Sequence, residues 1–148
     1  MELSARIGTL GNQIESLIEL TRPQAIAIER VFSQQNLRSV MGVAQISGVV
    51  MLLAHKHNIP VYLHTPSEVK AAVTGSGRAN KAQVGNMVAK ILGLDEVPKP
   101  ADAADSLAIA ICHAWKSAGG TLPESAAMTP AQKAWQAAEQ AATASKRR

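Results

Sequence analysis

Ala25-Ile26-Ala27-Ile28-Glu29-Arg30-Val31-Phe32 decides how the rest of this chain is read. Ile26, Ile28 and Val31 are β-branched, and Pro23 closes the segment before them, so the stretch predicts a short strand. Its near-continuous apolar character predicts a strand buried on both faces, as in a parallel sheet. Glu29 then arrives at its carboxyl end, the edge where α/β sheets place their ligands. A carboxylate withdrawn from water needs a cation, a hydrogen-bond cage or an exit to solvent. A glutamate standing in water, or paired with Arg30, satisfies the same pattern, and the segment alone leaves both readings open.

Working outward, Leu3, Ile7, Leu10, Ile14, Leu17 and Ile18 recur at steps of three and four and predict an amphipathic helix ending near Leu20. Residues 33–38 read as a polar loop leaving the strand beside Glu29. Ser39 to His57 reads as a long helix, apolar on most sides, that must be covered on two of them. Gly42 and Gly48 would let a second backbone approach, which makes a homodimer a natural arrangement. Ile59 to His64 is a second short strand. Thr65-Pro66-Ser67-Glu68 carries a helix start, with Thr65 as cap, proline first and glutamate third, and that helix is expected to end at Val73. Residues 74–78 form a flexible turn, and a further helix runs from about Asn80 to Leu92 with Val84, Met87, Val88, Ile91 and Leu92 inward. Gly93 ends it. Pro98-Lys99-Pro100 is a stiff linker before a last helix, Ala101 to Lys116. The expected organisation is one α/β domain over residues 1–118 and an Ala-rich basic tail over 119–148. Two strands make a poor sheet by themselves, so strands preceding Met1 are expected on physical grounds alone.

Composition narrows the function. Of 148 residues, 47% are hydrophobic and 18% charged, which suits a packed globular chain. Aromatics are only 3%, so base stacking cannot be the main grip on a nucleic acid. The net charge of +4 permits a polyanionic partner. A single cysteine, Cys112, excludes an internal disulfide and fits a cytoplasmic protein. The opening residues lack a signal-peptide pattern, and the apolar run Val40–Ala54 is shorter than the ~20 residues of a membrane span.

Asp102 and Asp105 lie three apart at the start of the last helix, on one face. Acids there also suit the helix dipole, and Asp102 reads equally as a plain cap. With Glu29 they suggest a carboxylate cluster whose hard oxygens favour Mg²⁺ or Mn²⁺ over zinc. Arg30, Arg38, Lys70, Arg78 and Lys81 fall on loops and helix starts, where they would neutralise phosphates or simply sit in water. Gly75-Ser76-Gly77 lacks the spacing of a nucleotide-binding loop. His55 and His57 point to different faces of one helix and so do not share a metal. His113 reads as a packing residue rather than a ligand, and Cys112 as buried and inert.

Several motifs in order resemble the RuvC family of crossover junction endodeoxyribonucleases: Glu29-Arg30-Val31-Phe32, Met41-Gly42-Val43-Ala44-Gln45, Thr65 to Lys70, Gly75-Ser76-Gly77, Lys81-Ala82-Gln83-Val84, and Ala101 to Ala110. The resemblance spans about residues 3–116. It implies a ribonuclease-H-like fold, a homodimer contacting through the Ser39–His57 helix, four-way (Holliday) junction DNA as substrate, a branch-migration helicase partner, and Mg²⁺-dependent phosphodiester hydrolysis. Matched by motif, Glu29, Asp102 and Asp105 are metal-binding carboxylates. Phe32 stands beside opened bases, and Lys70 and Lys81 lie near the scissile strand.

The family pattern also has an earlier strand bearing an aspartate, as in Gly-Val-Asp-Pro-Gly, with two strands after it. Residues 1–148 contain no counterpart, since Asp95 has a different context. The expectation is an N-terminally truncated chain, lacking the first strands, inactive as written and poorly folded alone. Each Ile or Val left exposed forfeits ~1.5–3 kcal/mol against a total stability of ~5–15 kcal/mol. A non-catalytic junction-binding protein is the alternative function, and a small interaction domain built on the apolar helix is a third.

Overall fold

The computed structural model describes residues 2–30 and 37–118, with the backbone alone at Leu37 and Arg38. The order is α1 (Leu3–Thr21), β1 (Ile26–Glu29), α2 (Leu37–Lys56), β2 (Val61–His64), α3 (Pro66–Thr74), α4 (Lys81–Leu92) and α5 (Ala101–Ser117). The elements fall into two compact units, one up to Leu63 and one from His64 onward.

In the first unit, α1 packs on α2. Gly11 is what lets them meet, because a Cβ there would stand 3.2 Å from Val49 Cγ1. Ile18, Leu53 and Ala54 are buried around this contact. α1 stops where Arg22 turns left-handed (φ 45°) and returns its N–H to the Ile18 carbonyl at 2.8 Å; Pro23 cannot continue a helical ladder. β1 and β2 then pair in parallel, the Ile26 N–H reaching the Pro60 carbonyl at 3.0 Å.

Two expectations are corrected here. Ile26, Ala27 and Ile28 are half-buried rather than buried on both faces. Among the described residues the sheet has only two strands, so β1 has one hydrogen-bonded neighbour. α2 was expected to be covered on its second side by the same chain or by a partner subunit, and within this chain Met41, Val43, Met51 and Leu52 are exposed. It also begins at Leu37, earlier than the polar loop allowed. The helix holds an apolar window, Ser39–Lys56, long enough to cross a membrane by length and composition, whereas the Val40–Ala54 run was read as too short for a span.

In the second unit, α3, α4 and α5 pack on one another. Their core is Val69, Val73, Ala79, Val84, Val88, Ala108, Ile111 and Cys112, with Val88 and Cys112 wholly buried. α3 carries the expected capping box. The Glu68 N–H donates to Thr65 Oγ1 at 3.2 Å, and the Thr65 N–H donates to Glu68 Oε2 at 2.7 Å. It runs one residue beyond Val73, to Thr74, before Gly75 at φ 81°. The following turn is hydrogen-bonded. Thr74 Oγ1 donates to the Lys70 carbonyl at 2.7 Å and accepts from the Ser76 N–H at 3.1 Å.

Asn80 and Gln83 form a second capping box, at the start of α4, which the sequence reading did not single out. Gly93 closes α4 in the left-handed region at φ 65°. Leu92 was expected to face inward but is exposed. The buried arc of α4 runs through Val84, Gly85, Val88 and Ala89, and Leu92 lies in the last turn, beyond its covered part. The Lys99–Pro100 bond is cis.

Candidate functional site

Glu29 ends β1 and is exposed, as is Arg30 after it. The carboxyl end of the strand therefore presents its acid to solvent, one of the two outcomes left open by the sequence. Asp102 is also exposed and lies in the first turn of α5. It is not the cap: Pro100 occupies that position, with no side-chain cap bond among the described residues. The helix dipole still favours a negative charge there. Asp105, one turn on, is half-buried and receives Lys81 Nζ on Oδ2 at 3.3 Å. The capping box places Lys81 at the first position of α4, so packing of α4 on α5 delivers an ammonium group to the second aspartate. Lys81 is 76% exposed, so the pair is loosely held and the ammonium is free to swing toward a phosphate.

Among the other basic residues named above, Lys70 is half-buried on α3 and Arg78 is exposed just before Asn80. Phe32, the side chain of Arg38 and the whole of the basic tail lie outside the described residues.

Three groups of interacting polar side chains were missed in the sequence. Glu15, Glu19 and His57 come together in the first unit, each offering a ligand atom within 4.8 Å of the others. Lys56 Nζ lies 2.7 Å from Glu15 Oε1 and His57 Nε2 lies 3.4 Å from it. Lys56, then His57, hold the Glu15 carboxyl below its ordinary range. The reading that His55 and His57 do not share a metal overlooked that His57 meets acids from another helix. The four-residue spacing of Glu15 and Glu19 was the available clue. A cavity of about 370 Å³ opens beside this group, lined by Ile18, Glu19, Arg22, Pro23, His57 and Ile59.

The second group is Glu68 and Lys116, paired at 3.4 Å between α3 and α5. Burial pushes the Glu68 carboxyl up, but the Thr65 N–H and the Lys116 charge outweigh it and hold it below the ordinary value. The third group is His64, buried, whose Nε2 lies 3.1 Å from His113 Nδ1. No spacing rule links residues 49 apart in sequence.

The fold is α/β: the first unit carries an acid at a strand's carboxyl end, and the second carries two acids in the first turns of a helix, with a lysine on Asp105. The sequence profile of the family described as "Crossover junction endodeoxyribonuclease RuvC" matches residues 1–113, and the chain belongs to this family of hydrolases. It is 55% identical over 152 aligned residues to the RuvC of Leifsonia xyli subsp. xyli, covering 94% of this chain and 73% of that one. It is 61% identical over 116 residues to the RuvC of Streptomyces avermitilis, covering 78% of this chain and 66% of that one. The Thermus thermophilus RuvC structure superimposes with a TM-score of 0.75 at 36% identity, over 82% of this chain and 73% of that one. The same relative has been seen in complex with a Holliday junction substrate, with a TM-score of 0.76 to this chain.

Proposed function

We propose that this chain engages four-way junction DNA, with a ribonuclease-H-like arrangement in which Glu29, Asp102 and Asp105 hold divalent metal. The family match over residues 1–113, which includes all three carboxylates, carries the reading. The donors fit the metal: all are carboxylates, Glu29 and Asp102 are exposed, and Asp105 meets a loosely held ammonium. Such oxygen ligands suit Mg²⁺, with Mn²⁺ as a substitute. When bound, the metal supplies an activated water and stabilisation of the leaving oxygen in phosphodiester hydrolysis. The chain's own part is to orient the DNA. Lys81 stands at Asp105 ready to exchange its carboxylate for a phosphate, and Arg30, Arg38, Lys70 and Arg78 neutralise further phosphates. Phe32 stands beside opened bases. The exposed apolar side chains of α2, Met41, Val43, Met51 and Leu52, support a homodimer through that helix. A branch-migration helicase is the further partner, and residues 1–118 form the nuclease part of the chain.

The family's first metal-binding aspartate has no counterpart among residues 1–148, so the polypeptide of these 148 residues binds a junction without cutting it. Incubation of a labelled four-way junction with this polypeptide and Mg²⁺ tests both halves. The expected result is a junction preference over duplex, with affinity falling steeply between ~50 and 200 mM salt, and no nicks. Symmetric nicks abolished by Glu29→Gln would show that these residues complete the catalytic site themselves. Equal affinity for junction and duplex would refute junction recognition.

A further inference from the structure

Glu15, Glu19 and His57 take no part in the proposed DNA or metal contacts, and all three belong to the first unit. Glu15 and Glu19 stand one turn apart on α1, so their carboxylates share a face and repel each other unless a cation offsets them. His57 follows the last residue of α2, and local backbone bonds fix its position. Its N–H donates to the Leu53 carbonyl at 3.1 Å, Asn58 turns left-handed at φ 55°, and the Ile59 N–H returns to the Ala54 carbonyl at 2.8 Å. Packing of α1 on α2, around Gly11 and the buried Ile18, brings this imidazole to the two carboxylates from ordered backbone on both sides.

The three side chains offer one nitrogen and two oxygens within 4.8 Å of one another. His57 Nε2 and Glu15 Oε1 are 3.4 Å apart, longer than a strong charge-assisted hydrogen bond of ~2.7–2.9 Å. It is the spacing of two ligands on one tetrahedral ion, since bonds of ~2.0–2.1 Å put neighbouring donors roughly 3.4 Å apart. Glu19 is exposed, so its side chain is free to close the remaining distance. An imidazole with two carboxylates suits Zn²⁺, which takes nitrogen and oxygen donors together, whereas Mg²⁺ keeps to oxygen. Three protein ligands leave a fourth position for water. Glu19 and His57 both line the cavity of about 370 Å³, which has room for it. Lys56 Nζ lies 2.7 Å from Glu15 Oε1, so this carboxylate already holds a cation. The Lys56 side chain is 54% exposed and leaves for water at little cost. The C-terminal end of α2 favours positive charge from either source.

We propose that Glu15, Glu19 and His57 form a Zn²⁺ site that replaces the Lys56 ion pair and clamps α1 to the end of α2. It shares no residue with Glu29, Asp102 and Asp105.

Zn²⁺ alone is the probe, titrated calorimetrically into the full 148-residue chain. His57→Gln and Glu19→Gln should each weaken Zn²⁺ binding by at least about tenfold. Glu29, Asp102 and Asp105 are common to all these proteins and cancel in the comparison. Lys56→Gln removes the competing ammonium and should bind Zn²⁺ more tightly than wild type. Equal affinity in wild type and His57→Gln would overturn the proposal, and so would a Lys56→Gln variant that binds no more tightly. Should the variants fail to fold, long-range ¹H–¹⁵N spectra of the wild type decide. Zn²⁺ should move the Nε2 resonance of His57 and leave those of His55, His64 and His113 in place. A response at another histidine instead of His57, or none at all, refutes the site.

Discussion

Replacing Glu68 by glutamine separates two roles that this carboxylate combines. One oxygen, Oε2, accepts the Thr65 N–H at 2.7 Å and completes the cap of α3. The other, Oε1, faces Lys116 of α5 at 3.4 Å. Glutamine retains an acceptor for the cap and loses the charge. The side chains of the pair are 26% and 29% exposed, so the ion pair is screened and contributes about 0.5–1 kcal/mol. Alanine loses the cap bond as well, a further ~1 kcal/mol. Guanidinium unfolding near neutral pH should therefore rank wild type above Glu68→Gln by about 0.5–1 kcal/mol and above Glu68→Ala by about 1.5–2 kcal/mol.

The pH dependence follows from the lowered carboxyl value, caused by the Thr65 N–H and Lys116 against the opposing effect of burial. A folded-state value below the unfolded one gives stability that is present above the ordinary 4.5 and is lost as pH falls through the folded value. The gap between wild type and Glu68→Gln should thus be constant at neutral pH and close below 4.5. A gap that persists in acid, or equal losses for glutamine and alanine at neutral pH, would refute the division of roles.

Two further substitutions probe the second unit. Val88→Ala removes methyl groups from a wholly buried site beside Cys112 and should lower unfolding free energy by about 2 kcal/mol; a loss under half of that would mean the three-helix core relaxes around the gap. Gly93→Ala places a Cβ on a residue at φ 65° with open space around it, so its loss, about 1 kcal/mol by thermal melting, reports backbone strain alone.

Local rules carried the reading of this chain a long way. The three- and four-residue steps of Leu3 to Ile18, the cap residues Thr65 and Glu68, the terminating Gly93 and the strand ending on Glu29 are each properties of a few neighbouring residues, and all are observed. Motif order sufficed for the family because each motif is itself local. Three things were set by the tertiary structure. Burial of β1 depends on how many strands flank it, which Ile26 and Ile28 do not encode. The coverage of α2 depends on what packs against it, and composition supplies only the need for cover. The meetings of His57 with Glu15 and Glu19, of Lys116 with Glu68 and of His64 with His113 join residues 38 to 49 apart. A side chain's spacing along its own helix determines the face it lies on, and only the packing of helices determines what that face meets.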